Sequence, residues 1–251
     1  MGELGSHIGH VTKIYIHFGF HKTGTTSFQN YCMTNSELLY DAGFAYYTGA
    51  YNPENHIELA LSSLRDPLDV PVKRKFPRLS KDKVHAETKE SINDFLHESR
   101  GKSAIFSNEA LSFIRTNDEI DSLLRLFPEE VDIIPVLCLR NINEWRNSFE
   151  QQLKKMDFNP KCGDFNSYFE INNWLLDHEK LCELVKSRFS RYIFIEYSEN
   201  MVKVMLDKID SNIGYTGEFR LNGRKKAPIG RRVRRFIKFL ISKIVGLSRH
   251  R

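Results

Sequence analysis

The run His21-Lys22-Thr23-Gly24-Thr25-Thr26-Ser27 sets a cation, a glycine and three consecutive hydroxyl residues close together. Those residue types can hold an anion, because backbone N–H groups and hydroxyls donate and a lysine adds a mobile positive charge. The residues ahead of it, Ile14-Tyr15-Ile16-His17-Phe18, are β-branched and aromatic and read as a buried strand. Gly19 and Gly24 mark a turn, and a helix is expected from Ser27 to about Leu39. Strand, glycine turn and helix in that order bring successive N–H groups and the positive end of a helix to one point. A phosphate or sulfate can sit there.

Four other positions have chemistry that complements an anion site. Val131 to Leu139 reads as a strand, with Pro135 inside it pointing to a bulge or a sheet edge. It delivers Arg140, and a helix from about Ile142 to Lys155 carries Ser148. Arginine suits a phosphate because its planar fork donates two charged hydrogen bonds and stays ionised. Glu109 follows the short strand Ser103–Ser107, and in an open parallel sheet ligands lie beyond the carboxyl ends of strands. It is therefore a candidate general base, or equally an acid favoured by a helix dipole. His56, in the first turn of a helix opened by Pro53, is a second candidate base or a cap and packing residue.

The elements that must position these residues alternate between strand and helix. Gly43–Tyr47 reads as a strand, and the helix from Pro53 stops at Pro67. Asp66–Lys83, with three prolines and the cluster Lys73-Arg74-Lys75, reads as a surface loop that could also receive an anionic acceptor. Helices follow over Glu87–Ser99 and Asp118–Phe127, a mostly helical stretch over Asp164–Phe189, a strand over Arg191–Glu199 and a helix over Asn200–Ile209. Met156, Phe158 and Tyr168 either line an acceptor pocket or pack in the core. Such alternation predicts an α/β domain with a parallel sheet.

A chain of 251 residues suits one such domain, and no apolar run approaches the roughly 20 residues of a membrane span. The polar opening residues do not read as a secretory leader. Cys32, Cys138, Cys162 and Cys182 lack metal or redox spacing and are expected to be reduced thiols in a cytoplasmic protein. The net charge of +5 is unevenly spread: twelve Lys and Arg and no acid fall between Arg220 and Arg251, against 25 basic and 32 acidic residues elsewhere. In that tail Val233, Phe236, Ile237, Leu240, Ile244 and Leu247 recur at helical spacing among the cations. Residues 226–251 thus read as a basic amphipathic helix, docked on the domain or, through 229–251, lying peripherally on an anionic membrane surface. No aromatic-basic motif accompanies the charge, so a nucleic-acid partner is not expected.

The nearest general pattern is the nucleoside-triphosphate P-loop, G-x-x-x-x-G-K-[ST]. Gly19 and Gly24 keep its spacing, but Thr25 stands where the lysine belongs, and Lys22 lies on the near side of the second glycine. In that order the run resembles the 5′-phosphosulfate loop of sulfotransferases that use 3′-phosphoadenosine-5′-phosphosulfate (PAPS), above all bacterial glycan and lipopolysaccharide-type enzymes. Arg140 and Ser148 resemble the pair that grips the 3′-phosphate, Tyr197 and Glu199 match a late Tyr-x-Glu, and Arg224 falls in a loosely similar basic loop. The resemblance implies a P-loop-kinase-like parallel sheet flanked by helices over residues 11–225. It also implies PAPS as co-substrate without a metal, and a glycan or glycolipid acceptor. His21, Lys22, Thr23, Gly24, Thr25, Thr26 and Ser27 would hold the 5′ end, with Lys22 donating to the bridging oxygen and Glu109 or His56 serving as base. A kinase on the same fold, or a non-catalytic nucleotide-binding module, are the alternative readings.

Overall fold

A computed structural model describes residues 13–215, apart from 67 and 78. Arg224 and the basic segment 226–251 lie outside the described residues, as does the stop expected at Pro67. The strands are β1 (Ile14–Gly19), β2 (Phe44–Tyr46), β3 (Ser103–Ser107), β4 (Ile133–Leu139) and β5 (Ile193–Glu196). Between and after them come α1 (Thr25–Thr34), α2 (Ser36–Asp41), α3 (Ile57–Ser63), α4 (Pro71–Lys75), α5 (Lys81–Glu98), α6 (Asn117–Leu124), α7 (Ile142–Lys155), α8 (Phe165–Ile171), α9 (His178–Arg188) and α10 (Met201–Ile209). Short 3₁₀ turns span Glu109–Phe113 and Asn173–Leu176.

All strand pairings are parallel, in the order β2-β3-β1-β4-β5. β1 is central and wholly buried, which explains its unbroken apolar run: a strand covered on both faces has no solvent side to alternate with. Right-handed crossovers fix the layers. The leftward step from β1 to β2 carries α1 and α2 to one face, where α10 meets α1. The rightward steps carry α3 to α9 to the other. The connection leaving β1 therefore departs on the opposite face from those leaving its neighbours β3 and β4. That makes the carboxyl end of β1 the crevice in which ligands of open α/β sheets lie.

Several expected boundaries differ. The first helix begins at Thr25 and breaks at Asn35, whose backbone N–H and side-chain amide both donate to the Tyr31 carbonyl. The expected loop at 66–83 holds α4 and the start of α5: Pro71 sits at the first helical position, and Ser80 accepts from the Lys83 N–H as the α5 cap. β5 stops at Glu196, so Tyr197 and Glu199 lie beyond it.

Pro135 marks neither a bulge nor an edge, since β4 runs in register between β1 and β5. The Ile14 N–H donates to the Asp132 carbonyl, so even-numbered residues of β4 face β1 and odd ones face β5. The missing N–H of Pro135 falls on the β5 side, where pairing begins only at Val136. The proline removes no ladder bond. Tyr168 and Phe158 are core residues rather than pocket walls. The Tyr168 hydroxyl donates to the Asp69 carbonyl at 2.9 Å, and Phe158 lies under the Arg74 guanidinium at 3.9 Å. The four cysteines are unpaired, and among the described residues no helix is long and apolar enough to cross a membrane.

Candidate active site at the carboxyl end of the central strand

The turn after β1 is built by backbone conformation first. Lys22 and Gly24 are both left-handed, at φ 66° and 84°, and a left-handed residue in a turn directs neighbouring N–H groups into a concavity. A methyl group on Gly19 would come within 2.5 Å of Thr25 Oγ1 and 2.6 Å of the His17 ring, so the chain can pass there only as glycine. At Gly24 the left-handed φ is joined by Met201, whose Cβ would stand 3.0 Å from an added Cβ. The first residue of α10 thus closes one wall of the turn.

The hydroxyls divide into two sets. Thr23 is fully buried and donates to the Phe20 carbonyl at 2.6 Å, and the buried Thr25 points at the same carbonyl from 3.5 Å. These two brace the loop from inside, so the expected hydroxyl donation from Thr25 to a ligand is corrected. Thr26 is exposed and Ser27 half-buried, both in the first turn of α1. That turn carries no side-chain cap and no acidic residue. Its N–H groups keep their donor capacity and the positive helix end is not neutralised. Lys22 is exposed beside it.

Arg140, the first residue past β4, reaches across the crevice. Its Nη1 donates to the Lys22 carbonyl at 2.9 Å, its Nε to Glu144 Oε2 at 3.2 Å, and its guanidinium lies 4.5 Å from the Tyr197 ring centroid. Holding the Lys22 carbonyl stabilises the left-handed turn from outside. Ser148 is half-buried on α7, one helical step of four beyond Glu144, so the two share one stripe of the helix, and the Arg140–Glu144 bond brings the guanidinium to its start. Asn141 caps α7 by accepting from the Asn143 and Glu144 N–H groups.

On the other side of β1, Glu109 opens the 3₁₀ turn after β3. Its carboxylate accepts from Asn55 Nδ2 at 3.0 and 3.1 Å and from Gln29 Nε2 at 3.2 Å. Asn108 Nδ2 donates to Asn55 Oδ1, which fixes the Asn55 amide with its nitrogen toward Glu109. Gln29 sits one turn along α1 from Thr25, so the carboxylate abuts the helix whose N-terminus forms the cradle. Asn55 and Gln29 carry no signal in the sequence, whereas Asn108 stands with Glu109 at a strand end.

The three histidines near the crevice are neutral packing groups. His21 stacks on Phe149 at 4.9 Å and lies 5.2 Å from Phe113. Burial lowers its pKa, the nearby Glu109 charge pulls it back up, and Lys22 lowers it further. His17 Nδ1 faces Ser107 Oγ at 2.9 Å, and Gln29 donates to that same oxygen. His56 is fully buried and precedes α3. Its Nδ1 accepts from the Ser107 N–H at 2.9 Å, and its Nε2 faces the Tyr47 carbonyl without closing a hydrogen bond. Burial pushes its pKa down to about 3. His56 ties α3 to β3 and does not meet solvent, which corrects its place among the candidate bases.

The structure thus gathers Lys22, the α1 N-terminus, Arg140 and Glu109 around the end of β1, and sets His56 and the Thr25 hydroxyl behind it. No protein-family model matches this chain, and no curated protein matches its sequence.

Proposed function

We propose that the chain is a sulfotransferase that moves a sulfuryl group from PAPS to a hydroxyl of a glycan or glycolipid acceptor. The observation that carries this reading is a carboxylate, Glu109, beside an uncapped, acid-free helix N-terminus with an exposed lysine. A phosphate cradle gains nothing from a neighbouring carboxylate, whose charge opposes binding. A reaction that must take a proton from an acceptor hydroxyl needs one.

PAPS supplies a sulfuryl group on a phosphate whose bridging oxygen gathers negative charge as the S–O bond breaks. Lys22 is exposed at the turn and can donate to that oxygen, where fixed donors act most strongly on the transition state. The N–H groups of the first α1 turn, with the Thr26 and Ser27 hydroxyls, hold the 5′-phosphate. Arg140, turning from Glu144, and Ser148 on the same stripe hold the 3′-phosphate. Glu109 accepts the acceptor proton as the new S–O bond forms, and the Asn55 and Gln29 donors aim its lone pairs. Phosphoryl transfer with magnesium is the competing reading.

Calorimetric titration with adenosine 3′,5′-bisphosphate and, in parallel, with ATP and magnesium decides between them. Tight, metal-independent binding of the bisphosphate is expected. Preference for ATP with magnesium would replace this proposal with a kinase.

A further inference from the structure

A second basic pocket opens one aromatic layer away from the crevice. It has a volume of about 590 Å³, within the range of small-ligand sites. Arg65, Arg115 and Lys180 bring three cations to its lining, around the Trp174 ring. The guanidinium carbons of Arg65 and Arg115 lie 4.8 and 5.7 Å from that ring.

Arg115 is the unusual member. It is 5 % exposed, yet its partners are three backbone carbonyls, of Trp174, Ser112 and Ile114. Among the described residues no carboxylate forms an ion pair with its side chain, although Glu119 accepts from its backbone N–H and the charges of Asp177 and Glu119 both act on it; burial, the largest cause, lowers its pKa to about 10. Buried cations ordinarily have a paired anion. Arg65 differs, since both Glu119 oxygens accept from its Nη1 at 2.8 Å. Lys180 is exposed at the start of α9. The acid on the lining is Asp177, whose Oδ1 accepts from the Lys180 backbone N–H as the α9 cap. Asn173 adds an exposed amide, a group suited to sugar hydroxyls, while the Thr116 hydroxyl is held by Glu119 in the α6 cap.

The pocket is also tied to the crevice. Arg115 lies two residues past the 3₁₀ turn that begins with Glu109, a span of about 12 Å or more at the usual rise of such a turn. From His21, two ring-to-ring steps lead through Phe113 to Trp174, at 5.2 and 6.0 Å. The buried Phe113 ring stands between the two sites, so an acceptor that reaches both is an oligosaccharide that passes over that wall with one end among the cations and a hydroxyl near Glu109.

We propose that this pocket is an acceptor subsite for an acidic group, a uronate carboxylate or a sulfate ester, so that the acceptor is an acidic glycan. The assignment to an acceptor rests on the sulfotransferase reading; the preference for an acidic sugar rests on the pocket itself. Binding, not turnover, is the test. The full chain is titrated calorimetrically with a uronate-containing tetrasaccharide, with its methyl ester and with potassium sulfate. Wild type and Lys180→Glu are compared, and Arg115→Met is added with its melting temperature measured alongside. Lys180→Glu leaves the capping N–H in place, so it remains informative if Arg115→Met fails to fold.

The acid should bind about tenfold or more tighter than the ester. Lys180→Glu should weaken the acid alone and leave adenosine 3′,5′-bisphosphate binding unchanged. Equal binding of acid and ester, or indifference to Lys180→Glu, would overturn the subsite. Free sulfate binding as tightly as the tetrasaccharide would overturn its assignment to an acceptor. Loss of bisphosphate binding in wild type would remove the sulfotransferase reading and leave the acid-specific pocket standing.

Discussion

At Gly19 a single methyl group decides whether the cradle can form. Gly19→Ala places a carbon 2.5 Å from Thr25 Oγ1 and 2.6 Å from the His17 ring. Neither neighbour is free to move: Thr25 sits in the first turn of α1, and His17 is held by Ser107. We expect a loss of about 1–3 kcal/mol in chemical denaturation, typical of overpacking, together with weakened nucleotide binding. A merely conformational glycine would give the stability loss without the binding loss. Glu109→Gln is the complementary test, because it keeps the shape of the side chain and removes its proton affinity. Sulfuryl transfer should fall about 10²- to 10⁴-fold while bisphosphate affinity holds or improves. Unchanged turnover would remove Glu109 as base. The types of the central residues were legible from their order, since Lys22, Gly24, Arg140 and Glu109 each carry chemistry a strand end can use. The inward turn of Thr25 and the burial of His56 were not. Both depend on contacts with Phe20 and Ser107 that a linear reading cannot weigh.

The strands β1, β3 and β4 agree with expectation to within about two residues, because runs of β-branched and aromatic residues bury on both faces. The helices agree less well. Asn35 ends α1, its side chain doubling the last bond to the Tyr31 carbonyl, and the Ser80 cap starts α5 at Lys81, six residues before the expected Glu87. β5 looked longer than Glu196 because Tyr197 has strand-forming character, which it uses to cover the Arg140 guanidinium instead. Arg140 belongs to two elements at once. It holds the Lys22 carbonyl, and in our reading it grips the 3′-phosphate. Arg140→Ala separates these roles when adenosine 3′,5′-bisphosphate and 5′-AMP are titrated in parallel. Wild type should prefer the bisphosphate by about tenfold or more, and the variant should lose that preference. Equal losses for both nucleotides would leave Arg140 as a brace of the turn alone.

Across the whole molecule, buried ionisable groups set the pH range of stability. Glu58 is fully buried, accepts from the Ala50 N–H at 2.8 Å, and is pushed by desolvation to a pKa of about 7 from 4.5. The folded state holds this proton more tightly than the unfolded chain does. Its contribution is therefore complete below about pH 4.5 and is lost as pH rises through 7. His17 and His56, lowered to about 3 from 6.5 by burial, act oppositely: their contribution is complete above pH 6.5 and is lost as pH falls toward 3. Glu58→Gln should therefore raise stability at pH 8, by up to about 3 kcal/mol. The gain should vanish near pH 4, as read from denaturation midpoints at the two pH values. A gain independent of pH would mean the carboxyl charge is not its source. The strand order has a further effect, on timing. β1 is made first, yet it pairs only with strands whose partner residues lie far along the chain, Ile14 with Ala104 and Ile14 with Ile133. Such distant pairing is slow to close. On the ribosome the anion loop must therefore wait, unanchored, until translation has passed β4. A nascent chain stalled before Ile133 should not be retained on an immobilised nucleotide, whereas one released after β5 should.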